Sequence, residues 1–400
     1  MTRRRFLAGA GAAALSVAVI KPELVFGAEA NSKIDLGLIG CGGRGTWIAD
    51  LFRKNGGYNV VAVADYFPER ADSTGQKFQV DSARRFSGLS AYRRLLEQKL
   101  DAVAIISPPY FHPEQAAAAI DAGRHLYLAK PIAVDVPGCH TVAESGKKAT
   151  DSKQVFLVDF QTRANDKYQT AIKLVHDGGI GRIISGEATY QTGNTWDAMD
   201  QYLREHPNDP EARIRGWGAD RTLSGDVITE QNIHAIDVAD WILDAAPTRA
   251  YGTGGRIKPP VENGCWDHFD VIFYYPNDVV VSFSSKQVGK GWDDIQCRMY
   301  GMNGTIDTHY FGVVFVHCDD AYNGGKLANL YTDGVVNNIA TFHKAITEGD
   351  CSNSTVAASV RSNLTTILGR MAAYQQREVT WDEMIKANEK YEANLKGLKA

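Results

Sequence analysis

The chain has 400 residues, 44% hydrophobic and 22% charged, with 38 glycines and a formal net charge of −4. That length holds two domains with cores of their own, and the composition is that of a globular protein rather than a fibrous or disordered one. The slightly acidic balance excludes nucleic acid as the main partner, because phosphate binding needs a basic surface and no basic cluster follows the first five residues.

The chain begins MTRRRFLAGAGAAALSVAVIK. Arg3, Arg4 and Arg5 followed by Phe6 and Leu7 match a twin-arginine export signal, and the stretch from Phe6 to Ile20 carries no charge. Fifteen residues are too few to span a bilayer and suit the apolar core of a signal peptide. Cleavage is expected after Gly27 or Ala30, so residues 1–30 are set apart as the signal. The mature protein is then expected outside the cytoplasm, in the periplasm, with no stable membrane anchor. This route carries folded proteins, often around a cofactor, which points to a tightly held ligand. The six cysteines (Cys41, Cys139, Cys265, Cys297, Cys318 and Cys351) show no paired spacing, so neither a disulfide framework nor a metal site is expected.

From Ile34 short apolar runs alternate with amphipathic stretches. IDLGLIG, YNVVAVADY, DAVAIISPP, HLYLAK and QVFLVDF read as strands. TWIADLFRK, SAYRRLLEQ (with Ser90 as its N-cap) and EQAAAAIDAG read as helices between them. Val- and Ile-rich strands separated by helices predict an α/β Rossmann domain, a doubly wound parallel sheet over residues 31–160. After Phe160 the pattern changes. A helix in YQTAIKLVHDGG, a polar and aromatic insertion over 193–225 and a helix over 229–243 precede long alternating strands and two closing helices. Residues 161–400 are thus expected to form an α+β domain with a large, open, mostly antiparallel sheet.

Gly40, Gly42 and Gly45 satisfy G-x-G-x-x-G, with Cys41, Gly43 and Arg44 between them, directly after a strand and at the start of a helix. In that setting Gly40 allows the tight turn, Gly42 lets a pyrophosphate reach the backbone, and Gly45 lets the helix pack closely. Asp65 ends the second strand, where a carboxylate can accept hydrogen bonds from the adenosine ribose. This favours NAD, although Arg70 close behind leaves room for the extra phosphate of NADP.

GLIGCGGRG, ISPPYFHPEQAAAAIDAGRHLYLAKPIA, ITEQNIHAIDVADWIL and ILGRMAAYQQREVTWDEM together make the chain resemble the glucose–fructose oxidoreductase and inositol dehydrogenase superfamily (Gfo/Idh/MocA). The resemblance covers nearly the whole mature chain. It implies a sugar or polyol held between the two domains over a nicotinamide, and a homo-oligomer built through the sheets. By the same resemblance Lys130 and Pro131 match the lysine and proline of a Glu-Lys-Pro motif whose lysine lies beside the nicotinamide, with Ala129 in place of the acid. Glu230 and His234, four apart in an expected helix, match an acid and a proton-relaying histidine, the carboxylate orienting the ring. Ser107 and His112 match a loop bordering the nicotinamide. Arg163, Asn165 and Tyr168 match a junction segment, with Arg163 toward cofactor and the other two toward substrate. Trp196, Arg213 and Trp217 fall in the insertion, with Trp196 and Arg213 as candidates to face the sugar and surface packing as the default alternative.

The expected reaction is hydride transfer between a carbinol carbon and the nicotinamide. His234 takes the hydroxyl proton and Lys130 hydrogen-bonds the same oxygen. Two other readings stay open at this stage. One is a redox-neutral glycosidase that oxidises, eliminates, adds water and reduces again. The other is a cofactor-binding sensor without turnover.

Overall fold

The computed structural model describes residues 33–400, so the export signal expected in residues 1–30 lies outside the described residues. The first sheet holds β1 (Ile34–Ile39), β2 (Tyr58–Asp65), β3 (Arg85–Ser87), β4 (Ala102–Ile105), β5 (His125–Ala129) and β6 (Phe156–Asp159). Its order is β3-β2-β1-β4-β5-β6 and every pairing is parallel. All of β4 and β6 and most of β5 are buried because helices cover both faces, which is why these strands read as unbroken apolar runs. The order reverses between β1 and β4, and the crevice beyond their carboxyl ends is the ligand position of such sheets.

The second sheet comprises β7 (Ile183–Thr192), β8 (Arg249–Gly255), β9 (His268–Tyr274), β10 (Val280–Gln287), β11 (Asp294–Gly301), β12 (Thr305–His309), β13 (Val313–His317), β14 (Tyr322–Lys326) and β15 (Val379–Thr380). It runs β14-β13-β12-β11-β7-β10-β9-β8-β15, antiparallel except where β7 meets β10. Alternate residues of β9 and β10 are buried, so one face carries the core and the other stays open.

Five helices position the site. They are α1 (Gly43–Asn55), α2 (Asp226–Glu230), α3 (Ile233–Leu243), α4 (Leu330–Glu348) and α5 (Ser354–Gln375). The single helix expected over 229–243 is in fact two. Gln231 and Asn232 both donate their N–H to Val227 O at 2.9 Å, and the chain restarts at Ile233. Ser90 precedes its helix as expected, but its side chain caps no N–H.

The strands of the first sheet all precede residue 160, and helices from later in the chain pack against them. Phe342 of α4 packs edge-on against Phe52 and Tyr127 of the first domain. Asn363 of α5 accepts from Ile132 N–H and donates to Ala133 O, both at 3.1 Å. The segment just beyond Lys130 and Pro131 is thus pinned by a helix of the second half. No helix among the described residues is long and apolar enough to cross a membrane.

Candidate functional site

The glycine loop follows β1 and opens α1, as its spacing predicts. Gly40 has φ +94°, and a Cβ there would stand 2.6 Å from the backbone of Ile106. Gly45 packs directly on Gly40 O, so neither position admits a side chain. Gly42 and Gly43 differ. A Cβ on Gly42 would meet nothing nearer than Arg70 Nη1 at 4.0 Å, and one on Gly43 nothing at all. Their missing side chains leave a cradle open at the start of a 13-residue helix, where backbone N–H groups and the helix dipole suit a pyrophosphate.

Two connected hollows meet at the cradle. The first is a slot between Gly40, Asp65, Arg70 and Ser107 on one side and Ile214 and Trp217 on the other. Asp65 accepts N–H bonds from Cys41 at 2.7 Å and Phe67 at 2.9 Å, which fixes its carboxylate at the rim where an adenosine ribose would lie. A second negative charge beside it is disfavoured, which weighs toward NAD. Arg70 stays in the slot, its guanidinium 4.8 Å from the Phe67 ring centre.

The second hollow is a cavity of about 620 Å³ lined by Gly42, Arg44, Lys130, Glu230 and His234 among others. That volume is within the range that small-molecule ligands need. Lys130 at the end of β5 reaches across to the second domain. Its Nζ donates to Glu230 O at 2.6 Å and stands 3.3 Å from Glu230 Oε1. Both side chains are nearly buried, at 7% and 8% exposure. Burial lowers the Lys130 pKa below its ordinary value, and the Glu230 charge opposes that shift. The Ala129 position that lacks the expected acid is therefore compensated from a hundred residues away, by Glu230.

This overturns the expected pairing of Glu230 with His234. The break at Gln231 and Asn232 turns the Glu230 carboxylate toward Lys130, and its other oxygen accepts from Gln231 Nε2. Gln231 in turn accepts from the Tyr190 hydroxyl at 2.6 Å. His234 packs against Phe160 and Tyr310, and its Nδ1 is buried without a hydrogen-bond partner. Burial, then the charges of Lys130 and Arg44, push its pKa well below an ordinary imidazole's. That shift favours the neutral ring, the form that can accept a proton.

Arg44 turns inward from the loop. It pairs with the fully buried Asp159 at 2.9 Å and donates to the Tyr331 hydroxyl at 2.7 Å. Asn338 of α4 holds Asp159 from behind at 2.9 Å. Sequence reasoning named Arg44 but missed Asp159, although it ends β6 on the same sheet edge as Lys130. Tyr310, Gln161, Gln231, Tyr190 and Tyr331 also line the cavity. Gln231 stands inside the motif that carries Glu230 and His234, whereas Tyr190, Tyr310 and Tyr331 lie in segments without any motif, where spacing offered no signal.

Several expected contacts are structural instead. Arg163 grips Asp237 with three hydrogen bonds of 2.8–3.0 Å and stacks on Trp241, away from the cavity. Asn165 caps a helix by accepting from Lys167 and Tyr168 N–H, and Tyr168 is a core residue at 2% exposure. Arg213 is tied to Asp220 at 2.6 Å. His112 is fully buried, 2.8 Å from Pro131 O and 2.7 Å from Ser107 O, with its pKa pushed down to about 4 by burial. It buttresses the loop and the lysine turn and lines neither hollow. Ser107 lines both hollows. Trp196 lines the cavity with φ +64°, a strained backbone for so bulky a residue, and its buried indole N–H has no partner.

A glycine cradle, a carboxylate at the end of the second strand beside it, and a lysine and an imidazole on the adjoining cavity are the features of a nicotinamide-dinucleotide oxidoreductase of the two-domain kind. Residues 34–157 match the profile described as oxidoreductase family, NAD-binding Rossmann fold, and residues 168–307 match the GFO/IDH/MocA C-terminal domain. The chain belongs to the Gfo/Idh/MocA family. An inositol 2-dehydrogenase of Rhizobium meliloti is 24% identical over 326 residues, 79% of this chain and 89% of that one. A glycosyl hydrolase family 109 protein of Porphyromonas gingivalis is 28% identical over 165 residues, covering 39% of this chain and 34% of its own. A levoglucosan dehydrogenase solved with NADH and levoglucosan shares the fold, with a TM-score of 0.69 and 20% identity over 87% of this chain and 99% of that one.

Proposed function

We propose that the chain oxidises a carbinol of a sugar or polyol with NAD, and that the dinucleotide stays bound between turnovers. The observation that carries this reading is the convergence of Lys130 and His234, from separate domains, on the cavity into which the cradle opens. Bound nicotinamide supplies a hydride acceptor at its C4. Everything else falls to the chain. Lys130 has three N–H donors, of which Glu230 engages two, leaving the third for the substrate oxygen. As that oxygen gains negative charge its proton passes to neutral His234, and the Lys130 ammonium stabilises the developing alkoxide. Gln161 Oε1, the Tyr310 hydroxyl, Trp196 Nε1 and His234 Nδ1 are buried polar atoms without partners, on residues that line this cavity. Such a set of donors and acceptors suits a polyhydroxylated ligand.

Inositol- and levoglucosan-acting relatives support the substrate class. Addition of inositols, aldoses and anhydrosugars to the purified, NAD-loaded protein is expected to produce reduced nicotinamide absorbance with at least one of them. Silence across the panel would contradict the dehydrogenase reading. The Porphyromonas gingivalis relative favours a second reading, redox-neutral glycoside cleavage, which would release phenol from an aryl glycoside with no net reduction of cofactor.

Export by the twin-arginine route follows from Arg3 and Arg4, and cell fractionation of an Arg3→Lys, Arg4→Lys variant tests it by retention in the cytoplasm. Association of copies through the second sheet is supported by its open face, where Ile184, Tyr251, Ile272 and Tyr300 are exposed. Light scattering of the native protein reads the outcome directly, and a monomer would refute it.

A further inference from the structure

After the short helix Trp381–Ala387 the chain runs back across the molecule over residues 391–400 without regular structure, yet it is tied down along its length. Tyr391 N–H donates to Asp135 at 2.8 Å, and Arg213 Nη1 donates to Asn394 O at 3.3 Å. Lys399 N–H donates to the Tyr66 hydroxyl at 3.1 Å while Leu89 N–H donates to Lys399 O at 3.0 Å. The Tyr66 hydroxyl itself donates to Glu211 at 3.0 Å, and Lys399 Nζ stands 3.3 Å from the same carboxylate oxygen. Leu395 and Leu398 pack into an apolar cluster with Tyr66, Phe67, Ile214 and Trp217.

These partners sort into two groups. Tyr66 and Leu89 belong to the nucleotide-binding domain, whereas Glu211, Ile214 and Trp217 belong to the insertion of the second. The segment therefore staples one to the other. Four of the stapled residues, Tyr66, Leu89, Ile214 and Trp217, are also walls of the slot that holds Asp65 and Gly40. A ligand in that slot would be flanked by Ile214 and Trp217 of the insertion as well as by the sheet edge.

We infer that residues 391–400 form a clasp over the adenosine half of the dinucleotide site, making the cofactor a resident group rather than an exchanging substrate. The inference rests on the dinucleotide reading given above. It assigns to Leu395, Leu398 and Glu211 a role in cofactor residence that no motif in the chain announces. Energetically the clasp acts on dissociation, because the hydrogen bonds and apolar contacts it makes must break before the slot opens.

The test uses the full chain. Release of NAD from the loaded protein is followed by dilution into excess apo-binding trap, for the parent, for Leu395→Ser with Leu398→Ser, and for Glu211→Gln. Release is expected to quicken on the order of tenfold or more in the double variant and several-fold in Glu211→Gln. Thermal unfolding with and without NAD checks folding, and the upward shift that NAD confers should shrink in both variants. If the double variant does not fold, the milder Glu211→Gln decides. A parent that binds NAD, with folded variants that release it no faster, overturns the clasp alone. A parent that binds no NAD at any concentration overturns the dinucleotide reading and the clasp with it.

Discussion

Replacing Lys130 with methionine is expected to lower kcat by about 10²–10⁴-fold while NAD binding persists. In the proposed reaction the ammonium is the donor that meets the charge growing on the substrate oxygen, and the glycine cradle lies on a different loop. Methionine keeps the length of the side chain, so the cavity wall survives. The single variant strands Glu230, nearly buried, without its cationic partner, which costs stability as well as activity. A Lys130→Met, Glu230→Gln double variant should therefore recover thermal stability and recover no activity. Steady-state rates, NAD titration and melting curves separate the two effects. Parallel recovery of both would mean that the lysine serves only the fold.

The second large effect concerns His234. A general base works only when unprotonated, and burial with the nearby charges of Lys130 and Arg44 depresses its pKa well below the 6.5 of an ordinary imidazole. Activity is then retained as pH falls through the ordinary histidine range and is lost only at the depressed value. On the alkaline side the Lys130 pKa is lowered from 10.5, so the ammonium and the rate disappear before that pH is reached. Arg44→Gln removes one of the two positive charges and should move the acid limb of kcat/KM upward. His234→Ala should remove the limb altogether and lower kcat by about 10²–10⁴-fold. An acid limb that stays in place in His234→Ala would assign the base to another group.

How much of this was legible in the chain depends on the range of each interaction. The parallel sheet was legible because β4 and β6 are buried on both faces and read as apolar runs. The cradle was legible because its glycines, strand and helix are contiguous. Lys130, Glu230 and His234 were recognisable from the family's motifs, and the structure brings all three to one cavity. Their pairing was not. Four-residue spacing implied a continuous helix with Glu230 beside His234, whereas the break after Glu230 gives the carboxylate to a lysine in the other domain.

Long-range ion pairs hid other roles in the same way. Nothing near Arg163 in sequence shows that Asp237, 74 positions away, already occupies it. Arg44 meets Tyr331 across 287 positions, and Leu89, midway along the first domain, meets Lys399 at the far end of the second. Periodicity reports which face of an element is buried. It carries no information about which distant element covers that face.

The most direct measurement of the central claim is a single turnover with a carbohydrate substrate deuterated at its carbinol carbon, followed by mass spectrometry of the cofactor recovered from the denatured protein. Deuterium on the nicotinamide of the parent, and none with Lys130→Met or His234→Ala under the same conditions, is the predicted result. Product formed from the labelled substrate with no deuterium ever reaching the nicotinamide would contradict it.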